Sequence, residues 1–221
     1  MSLNRDQAQF QQDFKVPADQ MERLARYADL LRDWQKAKNL VSQTTLQSLW
    51  HRHISDSYQL LAFGREEAHW LDIGSGAGLP GIIVALAILK PVESPNRARS
   101  VTLLEANGRK CMFLKAVSRE TQIPANIINA RIEQFSLEKL PETPDYITAR
   151  ALAPLPKLCG LISRFMGSET VALIHKGQDF ASEIEEATKY WDFDVLQHPS
   201  RIEDGSVILA ISNLKSRLKP N

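Results

Sequence analysis

The sequence predicts an α/β fold: a Rossmann-like, doubly wound, mostly parallel sheet with an antiparallel last strand, preceded by an N-terminal helical extension. Three observations carry that expectation. From His69 onward, short apolar runs alternate with helical stretches, the order that builds parallel strands joined by right-handed crossovers. Trp70-Leu71-Asp72-Ile73-Gly74-Ser75-Gly76-Ala77-Gly78-Leu79-Pro80-Gly81 reads as a buried strand, a glycine-rich turn and a helix start. Upstream of it, the apolar residues keep helical spacing.

Val16-Pro17-Ala18-Asp19 reads as a helix start, after which Met21, Leu24, Tyr27, Ala28, Leu31 and Trp34 mark one helical face. Lys36-Ala37-Lys38-Asn39-Leu40-Val41-Ser42 is a short connection, and Leu46, Leu49, Trp50, Ile54, Tyr58 and Leu61 mark a second face. A helical cap over 1–65 and a sheet domain over 66–221 are expected to form one compact unit. Strands are expected near 69–73, 100–105, 125–129, 145–149, 170–175, 192–197 and 206–211. Helices are expected near 79–89, 108–121, 155–166 and 179–190. Pro80 suits the opening turn of the 79–89 helix because it lacks the N–H that would be orphaned there. The polar, proline-bearing stretch 91–99 reads as a surface loop. No helical pattern separates the last two strands, which predicts an antiparallel pair.

A chain of 221 residues can bury a full core as one domain with an appendage. Its net charge of +1 neither demands nor excludes nucleic acid. Cys111 and Cys159 show no C-x-x-C spacing, which fits reduced, buried thiols in a cytoplasm. The most apolar run, 82–89, is far below the roughly 20 residues of a membrane span. The first residues lack an apolar signal core. A cytoplasmic protein without a membrane partner is expected, and no repeat or low-complexity tract is seen.

The glycine turn suits a nucleotide-like ligand, because glycines admit close backbone approach and the next helix offers unpaired N–H groups. Two readings compete. Gly76-Ala77-Gly78-Leu79-Pro80-Gly81 matches the G-x-G-x-x-G dinucleotide fingerprint. Asp72-x-Gly74-x-Gly76-x-Gly78 matches the first motif of S-adenosylmethionine (SAM) dependent methyltransferases. The glycines begin right after the acid, Asp72 is expected to reach the amino-acid part of SAM directly or through water, and a carboxylate beside a pyrophosphate would be repulsive. Leu79-Pro80 also suits a ligand that needs few N–H donors. The strand Ser100-Val101-Thr102-Leu103-Leu104-Glu105 ends in an acid, as a ribose partner requires. A solvated strand end is the plainer reading of Glu105.

Several motifs in series then resemble the RsmG (GidB) family, which methylates N7 of a guanine in the 530 loop of bacterial 16S ribosomal RNA. They are Trp34-x-x-x-x-Asn39-Leu40-Val41, Arg52-His53-Ile54-x-Asp56-Ser57, the 72–81 loop with its proline-glycine ending, and Leu103-Leu104-Glu105 with Arg109-Lys110 and Phe113-Leu114. Arg131-x-Glu133, Arg150-Ala151 and Lys176-Gly177 complete the series. The resemblance implies a class I SAM-dependent methyltransferase. It implies that SAM, left as S-adenosylhomocysteine, is bound by Gly74, Leu79, Ile132, Glu133 and Arg150, with Glu105 near the ribose. The motif itself adds Asp72, Gly76 and Gly78. The partner implied is 16S rRNA or a small-subunit particle, and a monomer is expected.

Guanine N7 carries a lone pair and no proton, so the reaction needs no general base; positioning and electrostatics should dominate. No N/D-P-P-Y/F motif and no Pro-Cys nucleophile appears. Arg131, Arg150 and Lys176 are the candidates for holding the RNA backbone or the guanine face. For Arg150 the plainer reading is an ion pair with a neighbour such as Asp145. His51, His53 and Asp56 read as a hydrogen-bond network rather than a metal site; the resemblance implies that His53 and Asp56 pin the N-terminal helices to the active-site rim. The basic tail, 214–219, reads as solvated. The family's arginine near the last strand is missing: Asp204-Gly205-Ser206-Val207 stands there, and Arg201 is shifted. The competing functions are a methyltransferase on another RNA or a small molecule, an NAD-type oxidoreductase, and a non-catalytic RNA-binding module.

Overall fold

The computed structural model describes residues 5–38, 40–65, 67–89 and 99–217. Asn39, the loop residues 90–98 and the tail residues 218–219 lie outside them.

The N-terminal part begins with α1 (Arg5–Phe14), an element the sequence pattern does not announce because Phe10 is its one buried residue. It continues through α2 (Ala18–Lys38) and α3 (Gln43–Gln47), whose N-cap Ser42 accepts from Thr45 N. The second predicted helical face is not a single α-helix. It runs through a π-helical stretch (Leu49–Ile54), α4 (Ser55–Tyr58) and a 3₁₀ turn (Gln59–Ala62).

Seven strands follow: β1 (His69–Ile73), β2 (Ser100–Glu105), β3 (Asn126–Asn129), β4 (Tyr146–Ala149), β5 (Val171–Lys176), β6 (Trp191–Pro199) and β7 (Val207–Ser216). They form one sheet in the order β3-β2-β1-β4-β5-β7-β6. β1 to β5 pair in parallel, while β7 runs antiparallel to both β5 and β6. The doubly wound sheet with an antiparallel last strand is therefore observed, with β7 inserted between β5 and β6. Both final strands outrun the predicted ones. Leu214-Lys215-Ser216 belongs to β7, with Lys215 opposite Asp192; this part of the tail is paired as strand while Lys215 and Ser216 stay exposed to solvent, as expected.

The helices are α5 (Gly81–Ile88), α6 (Gly108–Thr121), α7 (Leu155–Ile162) and α8 (Phe180–Thr188). α5 starts two residues later than the pattern predicts. Leu79 and Pro80 belong to the turn, Pro80 standing at the cap position with its carbonyl accepting from Ile83 N and Val84 N. α7 ends at Ile162, after which Phe165 N closes a turn onto Ile162 O.

Every residue of α5 is buried. A helix that is apolar all round needs cover on all sides. The sheet covers one side, and α2 and α4 cover another; the buried apolar side chains of α2 join those of α5 in one hydrophobic cluster, against which Tyr58 of α4 packs. α2 also caps the end of α5: Gln20 Nε2 donates to Ala87 O and Arg23 Nε to Leu86 O. Among the described residues, no helix is long and apolar enough to cross a membrane.

Candidate active site

The parallel sheet opens a crevice outside the carboxyl ends of its strands, where the order reverses between β1 and β4. All the predicted site residues lie along this edge, and they fall into two groups.

The first group stands over β1, β2 and β3. After Ile73 the chain turns sharply, with Gly74, Gly76 and Gly78 at φ of 68°, 58° and 94°. A Cβ on Gly76 would meet nothing nearer than 3.9 Å, the closest atoms being Gly74 O and Lys110 Nζ, so it would stand in the open cleft. Glu105 lies opposite. Its Oε2 accepts from Gly76 N and its Oε1 from Asn107 N, both at 2.7 Å, which fixes the carboxylate under the loop. Each oxygen keeps acceptor capacity for a hydroxyl. Asn107, which the sequence reading missed, also caps α6 through Arg109 N and Lys110 N. Ile132 is buried in the 3₁₀ turn after β3, with Arg131 and Glu133 exposed on either side. Arg164 clamps that turn by donating to Glu133 O and Phe135 O.

Asp72 is placed differently from expectation. It is 1% exposed, its Oδ1 accepts from Thr148 Oγ1 at 2.8 Å and its Oδ2 from Gly81 N at 3.2 Å. The carboxylate thus ties β1 to β4 and to the start of α5, beneath the loop instead of facing the cleft. Burial raises its pKa to about 6 despite those hydrogen bonds. Tyr27 of α2 supports the same loop from outside, its buried hydroxyl donating to Ala77 O at 3.0 Å.

The second group stands over β4, β5 and the start of β7, around a cavity of about 460 Å³. Ala151, at φ 51°, turns the chain after β4 so that Leu152 packs where a Cβ on Gly74 would stand, 2.6 Å away. That contact joins the cavity wall to the glycine loop. Arg150 does not pair with Asp145, whose carboxylate takes Arg65 and His69 N instead. Arg150 Nε lies 3.3 Å from Asp56 Oδ2, and its Nη2 donates to His53 Nδ1 at 2.6 Å. His53 and Asp56 thus tie the helical cap to the cleft rim through Arg150. Burial first, then the Arg150 charge, lowers the His53 pKa to about 4, so its Nδ1 lone pair stays available to the guanidinium. His175 Nε2 donates to Asp56 O at 2.9 Å, and burial lowers its pKa, which keeps it neutral near pH 7.

Lys176 is 8% exposed at its side chain, with Nζ donating to Ala153 O at 3.0 Å and Glu183 Oε2 at 2.6 Å. Glu183 Oε2 also accepts from Leu155 N at 2.5 Å. Lys176 and Glu183 therefore lock the 150–155 turn. Glu183 had no sequence signal, since its role depends on α8 being placed against the end of β5 and the start of α7. Arg201 does not reach the cavity: its guanidinium lies over the Phe14 ring, 5.3 Å from the centroid.

Comparison with known proteins is concordant. A family model described as "GidB: rRNA small subunit methyltransferase G" matches residues 20–204. A protein of Brucella anthropi named "Ribosomal RNA small subunit methyltransferase G" is 44% identical over 92% of this chain and 93% of its own length. One of the same name in Brucella ovis is 42% identical over 91% and 92%. Among solved structures, a TehB-like SAM-dependent methyltransferase from Corynebacterium glutamicum aligns with a TM-score of 0.53 and 15% identity, over 87% of this chain and 99% of the other.

Proposed function

The chain belongs to the rRNA small subunit methyltransferase G family, and on that premise we propose that it methylates N7 of a guanine in the 530 loop of 16S ribosomal RNA. It is a SAM-dependent methyltransferase acting on small-subunit rRNA. The observation that carries this is the family match over 20–204, which includes both groups of cleft residues.

SAM supplies a methyl group on a positively charged sulfonium. The open space above Gly76, faced by Glu105, fits such a ligand. Glu105 would take the ribose hydroxyls and Ile132 would cover the adenine, with Glu133 at its edge. Gly74, Gly78 and Leu79 would shape the backbone, and Asp72 would hold it from below. This assignment disfavours the dinucleotide alternative, since the loop meets a carboxylate at Gly76 N instead of leaving that donor to a phosphate.

Transfer moves positive charge from sulfur toward the guanine ring. The chain has no proton to remove, so its work is alignment of the acceptor in a sheltered site. Arg150 and Lys176 are held by Asp56 and Glu183, which fits a positioning role better than phosphate binding. Arg131, exposed at the rim, remains the candidate for the RNA backbone. A cytoplasmic monomer acting on 16S rRNA or a small-subunit particle completes the proposal.

The test is transfer of labelled methyl from SAM to small-subunit particles and to naked 16S RNA from cells lacking the protein, mapped by cleavage at N7-methylguanine. One modified guanine in the 530 loop is expected. Transfer elsewhere, or none with SAM still bound, would contradict the RNA assignment while leaving the cofactor.

A further inference from the structure

The cavity over β4, β5 and β7 has no phosphate-like character. Its lining carries three carboxylates, Asp56, Glu183 and Glu203, against two cations, Arg150 and Lys176. Both cations are already paired with two of those carboxylates. With Glu203 paired to Arg52 as well, the lining offers a phosphate no uncommitted cation and suits a neutral base better. Its volume of about 460 Å³ lies within the range of small-molecule sites. One wall is the 150–154 turn, joined to the cofactor loop through Leu152 and Gly74. The opposite wall is built from Ser200, Glu203, Ser206 and Val207. β5 separates β4 from β7, which sets these walls roughly 10 Å apart.

We infer that this cavity seats the target guanine and that Glu203 is a specificity-determining residue, reading the base through its N1–H and 2-amino group. The inference rests on the methyltransferase reading above and extends it to how the base is chosen. For methyl transfer, N7 has to face the cofactor wall. In a purine the Watson–Crick edge lies on the other side of the ring system, so N1–H and the 2-amino group face the 200–207 wall. A carboxylate presents two acceptors side by side, matching those two donors, whereas adenine offers an acceptor at N1.

Of the three carboxylates, Glu203 is the one that stands on the 200–207 wall. Asp56 already takes Arg150 and Gln59, and it lies 3.6 Å from His175. Glu183 holds both Lys176 and Leu155 N through Oε2 and is committed to the 150–155 turn, the wall that N7 has to face. Glu203 pairs through Oε1 with Arg52 of the helical cap, and its side chain is half exposed at the cavity rim. Arg52 thereby aims the carboxylate without using both of its oxygens. Enzymes that modify a base commonly draw it out of its stack and read this same edge in a pocket.

The test uses small-subunit RNA carrying either guanine or inosine at the target position, offered with saturating labelled SAM to the wild type and to Glu203→Gln. Inosine lacks the 2-amino group and keeps N7. The wild type is expected to methylate the inosine RNA with a kcat/KM lower by about tenfold or more. Glu203→Gln is expected to lose roughly 10- to 100-fold on guanine RNA, to bind SAM as the wild type does, and to treat the two RNAs within about twofold of each other. Equal rates on both RNAs with the wild type would overturn the inference. So would a variant that keeps the wild-type preference or that loses SAM binding. Wild type inert on guanine RNA would instead contradict the methyltransferase reading, and the inference with it.

Discussion

Beneath the glycine loop, Asp72 is an ionisable group sealed from water, with a folded pKa near 6 against an ordinary 3.8. Between those values the folded state binds more protons than the unfolded state, so this carboxyl's contribution to stability is full below about pH 4 and is lost as pH rises through 6. Thermal or urea unfolding of the wild type and Asp72→Asn across pH 4 to 7.5 should show the wild-type advantage falling by about 3 kcal/mol and levelling above about pH 7. An advantage that grows with pH would contradict the burial argument. For function, Glu105→Ala is expected to raise the SAM Kd more than tenfold, read by calorimetry, because it removes a charge-assisted acceptor and frees Gly76 N from its anchor. The acid at the end of β2 was legible as a ligand-facing residue because strand ends in parallel sheets face the crevice. The inward aim of Asp72 was not legible. It depends on Thr148, which lies 76 residues away in sequence and meets Asp72 once β4 pairs with β1.

Among the elements, strands β1, β2, β4 and β5 were readable because buried parallel strands are short apolar runs. α1 was not, since its Gln-rich sequence buries only Phe10, and the π-helical stretch 49–54 keeps the apolar spacing of an ordinary helix. The sequence shows α5 as strongly apolar but hides the consequence, that another helix has to cover it. α2 does so and reaches the cofactor loop through Tyr27. Tyr27→Phe deletes a buried donor and leaves Ala77 O without it; the expected cost is about 1–2 kcal/mol in unfolding free energy, with a several-fold weaker SAM affinity. A stability loss with unchanged SAM affinity would show that α2 supports the fold but not the loop. The 150–155 turn makes a matching case on the other side of the crevice. Glu183→Ala should leave SAM affinity within about twofold and lower kcat of methyl transfer, since Lys176 and Leu155 N lose their shared acceptor.

For the molecule as a whole, the sheet order and the insertion of β7 were beyond local sequence signals, because nothing within a strand encodes its neighbours. The same holds for the link between cap and sheet. Asp56 and Arg150 stand at opposite ends of the chain's midsection and pair with side chains 15% and 20% exposed. Removing Asp56 leaves a largely buried guanidinium short of its carboxylate, so Asp56→Ala is expected to destabilise by about 3 kcal/mol or more. The cap of 1–65 and the sheet domain of 66–221 are accordingly proposed to unfold in one transition, and the sheet domain alone should fail to fold, with the α2-facing side of α5 uncovered. The central claim is that the crevice is divided, with the cofactor over β1 to β3 and the acceptor base over β4 to β7. SAM titrated into the wild type, Glu105→Ala and Glu183→Ala tests it most directly. The division predicts a weakened Kd for Glu105→Ala alone. Equal weakening in both variants, or none in Glu105→Ala, would contradict it.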